Sequence, residues 1–178
     1  DLNRAAELYM QSGNAFGWAR TCIGRLYTSV VLQHDENIHQ DAQLAREIFE
    51  EHHDLDKIMR LNINLAAAYM TVGNHTVALD LYCTVLVQID ELGEAGERFR
   101  STVLNWLGAV NLELGRGTTA LTYFEEARTV SEARNETTVT VTAELNIAYV
   151  YQLTGRLRES LSILQRLEDR LRDEKPVD

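Results

Sequence analysis

Proline is nearly absent from this chain of 178 residues, whose one proline is Pro176. Proline lacks a backbone N–H and interrupts helices and the interior of sheets, so its scarcity leaves long hydrogen-bonded elements unbroken. Hydrophobic residues make up 45% of the chain and charged residues 25%, a balance that supports a core without disulfides or metals. We therefore expect one folded domain over residues 1–178, built from continuous helices.

Cysteine is also scarce, since Cys22 and Cys83 are the only two. They lack the paired spacing of a metal site and are too few for a disulfide framework, so we expect buried free thiols in a reducing compartment. No run of 18 apolar residues is present, and the first residues lack the basic and apolar regions of a secretory signal. These absences predict a cytoplasmic chain that does not enter the membrane.

Positive charge is in deficit, because 17 basic residues face 27 acidic ones and the net charge is -10. Proteins that bind nucleic acid or anionic membranes without sequence preference rely on basic surfaces that neutralise phosphates. We therefore expect no direct binding to nucleic acid and no binding to a membrane surface.

Motifs of catalysis and metal binding are missing as well. The sequence holds no Gly-x-x-x-x-Gly-Lys-Ser/Thr loop, Gly-x-Ser-x-Gly elbow or His-Glu-x-x-His helix. The adjacent His52 and His53 point about 100° apart on a helix and cannot both face one ion. Charges of both signs alternate from Arg156 to Lys175, as on the solvated outer face of a terminal helix. We predict no catalysis, no cofactor and no metal.

What the sequence does contain is an internal repeat. Three segments, 65–73, 107–115 and 147–155, align without gaps, and each ends in glycine. Five residues beyond each glycine stands a small residue, and four further on a large one. The glycines are 42 and 40 residues apart, so the period is about 40 residues. Periods of 20–50 residues are typical of solenoids and other repeat arrays.

Each repeat has the pattern of a helix hairpin. In the first half of one repeat, apolar residues recur at helical spacing from Val103 to Leu114, and in the second half from Ala120 to Val130. Small residues on both helices allow close packing, and glycine supplies the turn between them. Ala5 and Tyr9 fit the second helix of a half-repeat. In the next repeat, an insertion around His34 to His39 either extends the first helix or makes a longer turn. The predicted helices, nine in all, are 2–12, 15–33, 40–53, 56–72, 75–91, 97–114, 117–133, 137–154 and 157–173.

One repeat contains a small residue followed by Tyr69, Gly73, Ala78 and Tyr82. This pattern resembles the tetratricopeptide repeat, and the period is similar to that of its longer class. That class occurs in maltose-type transcriptional activators, signalling NTPases and proteins with CHAT protease domains. The resemblance implies an all-α, right-handed solenoid of stacked hairpins whose first helices line a concave face. The expected repeats are a half-repeat at 1–13 and full repeats at about 14–54, 55–94, 95–135 and 136–175. Because the chain begins without Met and inside a repeat, we expect it to belong to a larger protein.

The first helices of such repeats also supply the candidate binding residues. An asparagine carries both a donor and an acceptor and can hold one peptide unit of an extended partner, whereas its alternative use is to link neighbouring helices. Aromatic residues offer apolar anchors or core packing, and arginines offer partners for a carboxylate or surface salt bridges to Asp56 or Glu51. The predicted partner-binding residues are Asn64, Asn105, Asn146, Trp106, Tyr149, Arg25, Arg60 and Met70.

Three functions are compatible with these features. The first is a non-catalytic module that binds a protein, a peptide or a flanking domain of the same chain. The second is the ligand-sensing arm of a larger signalling or transcription regulator, with a small molecule held between helices near Trp106 and Tyr149. The third is a structural segment that self-associates through the exposed ends of the repeat array.

Overall fold

A computed structural model describes residues 2–32 and 38–173, and within these ranges the chain is helical, without a strand. The nine long helices that the sequence predicts are confirmed, and one short helix is added. The ten helices of the described residues are α1 (Leu2–Gln11), α2 (Ala15–Leu32), α3 (Ile38–Glu51), α4 (Leu55–Thr71), α5 (His75–Leu92), α6 (Glu94–Glu97), α7 (Arg100–Glu113), α8 (Gly117–Ala133), α9 (Thr137–Leu153) and α10 (Leu157–Asp173). The insertion predicted around His34 to His39 falls largely on residues 33–37, which lie outside the described residues.

The additional helix α6 occupies the stretch that the sequence predicts as the linker from Leu92 to Gly96. Gly93 has φ +57°, a left-handed conformation that ends α5. The carbonyl of Gly93 then accepts hydrogen bonds from the N–H groups of Gly96 and Glu97 at 2.9 and 3.1 Å. Gly96 fits there because a side chain would collide with the backbone of Ile89. A close backbone approach therefore explains the extra turn.

The chain divides into two compact units, Asp1–Arg98 and Phe99–Asp178. In the N-terminal unit α1 packs on α2, the pairs α2/α3 and α4/α5 form hairpins, and α2 lies beside α4. In the C-terminal unit α7/α8 and α9/α10 form hairpins, and α7 lies beside α9. Successive first helices are thus neighbours within each unit, which is the arrangement of a tetratricopeptide-like solenoid. The prediction of a single domain over residues 1–178 stays a prediction.

The same backbone turn joins helices at six places among the described residues, namely Gly13, His53, Gly73, Gly115, Asn135 and Gly155. At Gly73, with φ +82°, the N–H bonds to the carbonyl of Met70, and the next N–H, of Asn74, bonds to the carbonyl of Tyr69. This is the Schellman motif, which satisfies the last carbonyls of a helix. His53 and Asn135 adopt the same left-handed conformation, with φ 51° and 57°, between hairpins. The sequence predicts short linkers at both places but does not reveal the left-handed conformation of these two residues.

The packing of small residues against aromatic ones is confirmed in both units. A Cβ on Gly108 of α7 would lie 2.5 Å from the ring of Phe124 on α8, so only glycine permits this approach. In the N-terminal unit, a Cβ on Gly17 of α2 would lie 2.5 Å from the ring of Tyr9 on α1, and Ala66 of α4 and Tyr82 of α5 are fully buried. Burial raises the pKa of the Tyr82 phenol, because the phenolate would be poorly solvated there.

One cysteine prediction is confirmed and the other is wrong. Cys22 is buried, but Cys83 is exposed, and neither forms a disulfide. Tyr82 of α5 points into the core, so the next residue along the helix is turned about 100° away from it. Although Cys83 is exposed, partial desolvation by the neighbouring residues and the nearby Asp80 carboxylate raise the pKa of its thiol. Among the described helices, none is both long enough and apolar enough to span a membrane.

Candidate partner-binding faces

Two of the predicted asparagines meet in the C-terminal unit. Nδ2 of Asn146 on α9 donates a hydrogen bond to Oδ1 of Asn105 on α7, at 3.0 Å. Asn146 therefore links two neighbouring helices, which is the alternative use that the sequence leaves open for it. Each carboxamide is only half-buried, and the amide nitrogen of Asn105 and Oδ1 of Asn146 have no hydrogen-bond partner among the described residues. Asn105 thus still offers two N–H donors, and Asn146 offers one carbonyl acceptor beside them.

Exposed apolar side chains lie on the same two helices as this asparagine pair. Leu145, Tyr149 and Leu153 recur every four residues along α9, and their exposed fractions are 47%, 51% and 59%. Residues at this spacing share one face of a helix. Trp106, next to Asn105 on α7, is 39% exposed. The repeat register predicts that Leu145 and Leu153 also line the concave face, although neither is among the eight selected binding residues.

In the N-terminal unit, Asn64 also links two first helices. Its Nδ2 on α4 donates to the backbone carbonyl of Ile23 on α2, at 2.6 Å. Asn64 and Asn146 hold the same repeat position, two residues before Ala66 and Ala148, so both reach back to the preceding first helix. Met70, six residues after Asn64, is half-buried on the same helix. The hydrogen bond of Asn64 joins it to α2 and does not involve Met70.

Both predicted arginines of this unit take part in polar contacts. Nε of Arg60 donates to Asp56 at 2.8 Å, the surface salt bridge that the sequence offers as an alternative. The other oxygen of Asp56 accepts from Arg98 at 3.1 Å. Nε of Arg25 donates to Oδ1 of Asn3 at 2.9 Å, and its Nη1 lies 3.7 Å from Asp41. A partner carboxylate would therefore compete with Asp56 or Asp41 for these guanidinium groups.

Polar pairs hold the hairpins together at positions that the sequence analysis did not select. In α4/α5, the buried Asn62 donates from Nδ2 to Oε1 of Gln88 at 3.0 Å. At the equivalent positions of α9/α10, the buried carboxylate of Glu144 accepts from Nη2 of Arg170 at 2.9 Å. Each pair is separated by 26 residues, and that shared separation is the signal in the sequence. These pairs are internal, so we assign them to hairpin stability rather than to binding.

No cluster suited to a metal ion is found in residues 2–32 and 38–173. There, no group of three or more His, Cys, Asp or Glu side chains comes close enough to hold one. His52 and His53 are exposed at the end of α3, and Nδ1 of His52 lies 2.7 Å from the carbonyl of Ile48. This contact turns one ring nitrogen of His52 toward its own helix.

The comparisons with known proteins agree with this architecture. Residues 99–173 match the tetratricopeptide repeat family, and these residues form the four helices α7 to α10 of the C-terminal unit. No curated protein matches the sequence significantly.

Solved structures resemble the fold at low sequence identity. A Rap protein complexed with competence and sporulation factor matches with a TM-score of 0.64 and 19% identity, over 93% of this chain and 42% of that one. A putative kinesin light chain with nearly identical TPR-like repeats, from Podosopora anserina, matches with a TM-score of 0.56 and 14% identity, over 98% and 96%. MamA gives a TM-score of 0.51 and 15% identity, over 94% and 96%. The present chain thus spans less than half of the Rap protein.

Proposed function

Because residues 99–173 match the tetratricopeptide repeat family and the described chain has the fold of tetratricopeptide-repeat proteins, we propose that it binds an extended peptide without catalysis. Repeats of this kind are protein-interaction scaffolds whose stacked helices provide long binding surfaces. The proposed binding surface of the C-terminal unit is the first-helix face, defined as Asn105, Trp106, Leu145, Asn146, Tyr149 and Leu153.

The asparagine pair is the observation that carries this proposal. An extended peptide presents alternating N–H and C=O groups, which need partners when they leave water. Asn105 supplies N–H donors and Asn146 supplies a carbonyl acceptor at one place, so together they match one peptide unit. Their mutual hydrogen bond fixes both side chains before the partner arrives, which lowers the entropy lost on binding.

The apolar residues beside the pair supply the anchor. Tyr149 has a large aromatic ring and few rotatable bonds, and side chains of this kind contribute strongly to peptide interfaces. Leu145 and Leu153 extend the apolar strip by one helical turn on either side. We expect the partner to place an apolar side chain on this strip and its backbone on the asparagine pair.

The first-helix residues of the N-terminal unit are proposed contacts for the same class of partner. Asn64 keeps its Oδ1 without a hydrogen-bond partner among the described residues, and Met70 adds a deformable apolar surface. Arg25 and Arg60 would exchange Asp41 or Asp56 for an acidic side chain of the partner. In the same proposal, the repeats belong to the longer class and the protein works in the cytoplasm.

The variant Asn105→Asp tests the proposal sharply. A carboxylate at residue 105 still accepts from Nδ2 of Asn146, but it removes the N–H donors offered to a peptide. Peptides selected from a random display library against the wild-type protein are the probes, and their affinity is measured by fluorescence polarisation. Losing a hydrogen bond of this kind costs about 1–3 kcal/mol, so we expect affinity to fall roughly 5-fold to 150-fold.

The control is Thr122→Ala on α8, an exposed residue outside the first-helix face. It should leave peptide affinity within about twofold, because most surface changes away from such features have small effects. Equal affinity of Asn105→Asp and wild type for every selected peptide would show that the asparagine pair does not contact the partner.

The apolar strip also supports the two other functions, and each has its own measurement. A ligand-sensing arm would melt at higher temperature as a metabolite is added, in proportion to its concentration. A self-associating segment would sediment as a larger species as protein concentration rises, and Tyr149→Ser would reverse that. If either behaviour occurs while no peptide is selected, the peptide-binding proposal is wrong.

A further inference from the structure

A cleft of about 660 Å³ lies in the C-terminal unit. Helix α9 forms its floor, and α8 and α10 form its walls. Tyr151 lines this cleft, whereas Tyr149 belongs to the first-helix face. Two residues correspond to about 200° of helix rotation, so the cleft and the first-helix face lie on different sides of α9.

Three arginines converge on the cleft from two helices. Arg128 comes from α8, and Arg158 and Arg166 come from α10. Arg158, Ser162 and Arg166 are spaced four residues apart, which places them on one face of α10. Neither Arg158 nor Arg166 forms a hydrogen bond or salt bridge with any other described residue.

The lining carries an excess of positive charge in a chain whose net charge is -10. Two carboxylates, Glu125 and Glu159, also line the cleft. Glu159 accepts a hydrogen bond from Arg156 at 3.0 Å, and this contact lowers the pKa of its carboxyl group. Arg128 keeps a marginal contact, because its Nε lies 3.9 Å from Glu132. The local sign of charge is thus opposite to that of the whole protein.

The repeat architecture does not require these arginines. Ser160 of α10 corresponds to Ala78 of α5, so Arg158, Ser162 and Arg166 correspond to three residues of the earlier hairpin, namely Thr76, Asp80 and Thr84. The earlier hairpin folds in the same way without a single basic residue at these three positions. The basic side chains are therefore a property of this cleft and not of the repeat.

We propose that the cleft is a binding site for a small organic phosphate. Guanidinium groups bind phosphate oxygens through paired N–H donors. Arg158 stands in the first turn of α10, where the helix dipole also favours an anion. Ser162 adds a hydroxyl donor. The phosphate thus has donors from two helices.

The floor of the cleft suits the organic part of such a molecule. The buried Ile147 and the ring of Tyr151 on α9 give it an apolar base, which the buried Ile163 borders from α10. The guanidinium carbon of Arg156 lies 3.9 Å from the centroid of the Tyr151 ring and covers one of its faces. A volume of this size is within the range of sites for small molecules.

The test is calorimetric titration of the full chain with pyrophosphate, ADP and adenosine. Pyrophosphate and ADP should bind and adenosine should not, because the arginines recognise the phosphates. The double variant Arg158→Thr/Arg166→Thr installs the residues of the earlier hairpin. It should weaken the binding of ADP at least tenfold. The double variant Arg4→Thr/Arg172→Thr removes two exposed arginines outside the cleft. It should change the affinity for ADP less than twofold.

Several results would overturn the proposal. The proposal is wrong if neither pyrophosphate nor ADP binds the wild-type chain. It is also wrong if both double variants weaken the binding of ADP equally, because that would indicate non-specific attraction. A polyglutamate peptide that binds more tightly than ADP would assign the cleft to acidic peptides instead. Thermal melting followed by circular dichroism checks that each variant is folded. The variant Arg128→Gln independently tests the contribution of α8, the opposite wall of the cleft.

Discussion

Asn146 donates a hydrogen bond to Asn105 across 3.0 Å and thereby joins α9 to α7 within the C-terminal unit. If this bond stabilises the stacking of the two first helices, Asn105→Ala should lower the free energy of unfolding by about 1 kcal/mol, since it leaves a half-buried N–H without its acceptor. Asn105→Asp keeps the acceptor and should cost less than half as much. Urea unfolding of the three proteins measures the difference.

The comparison separates stability from binding at one residue. A loss of stability in Asn105→Asp as large as that in Asn105→Ala would show that the hydrogen bond itself contributes nothing. Weakened peptide binding in that variant would then reflect a disturbed fold rather than missing donors.

The contact between Gly108 and Phe124 gives a second prediction. A methyl group on Gly108 would lie 2.5 Å from the Phe124 ring, and the ring cannot retreat because it is fully buried. We expect Gly108→Ala to lower the free energy of unfolding by about 1–3 kcal/mol despite the better helix propensity of alanine. Chemical denaturation of the full chain measures it.

Gly117 provides the matched control for this substitution. It also lies in a helix of the same unit, but a Cβ there would have no neighbour within 4 Å. Gly117→Ala should therefore be neutral or stabilise the protein by about 0.4–1 kcal/mol. If Gly108→Ala and Gly117→Ala change the free energy of unfolding equally, α7 and α8 do not approach closely at Gly108.

The sequence predicts the long helices well because their signals are local. Apolar residues at helical spacing and glycines at a fixed period specify the hairpins without knowledge of distant contacts. Gly108 opposite Phe124 follows from the same register. Helix α6 could not be predicted in this way, because it depends on how closely Gly96 approaches the backbone of Ile89.

The candidate sites are less accessible to sequence reasoning because they join distant residues. Arg128 and Arg158 are 30 residues apart, and the alternating charge of the α10 sequence favours a solvated face over a binding site. The cleft becomes visible only once α8 and α10 are placed on either side of α9. The strip of Leu145, Tyr149 and Leu153 has regular spacing, but the same spacing describes a buried face equally well.

His53 gives a third prediction, on the backbone. It has φ 51°, a conformation that costs an ordinary residue roughly 1–2 kcal/mol and costs glycine almost nothing. Because glycine also has more freedom in the unfolded chain, we expect His53→Gly to stabilise the protein by only about 0.5–1 kcal/mol. Thermal and urea unfolding should both show the gain.

Asn14 is the contrasting position, since its Oδ1 accepts a hydrogen bond from the N–H of Gly17 at 2.7 Å at the start of α2. Asn14→Gly removes this cap and should destabilise the protein by a few tenths of a kcal/mol. A destabilising His53→Gly would show that the imidazole has a role which outweighs the strain.

The fourth prediction exchanges one polar pair for another. Arg170→Gln alone leaves the buried carboxylate of Glu144 without its guanidinium, and we expect a loss of about 1–3 kcal/mol, because the buried acceptor loses its charged donor while the half-exposed Arg170 limits the effect. Glu144→Asn/Arg170→Gln installs the pair that Asn62 and Gln88 form in the earlier hairpin. The double variant should recover most of the loss, since it hydrogen-bonds without a buried charge. Equilibrium unfolding of the single and double variants gives their coupling energy. Additive losses would show that the two hairpins do not share this geometry, and the equivalence of residues 62 and 144 would then be wrong.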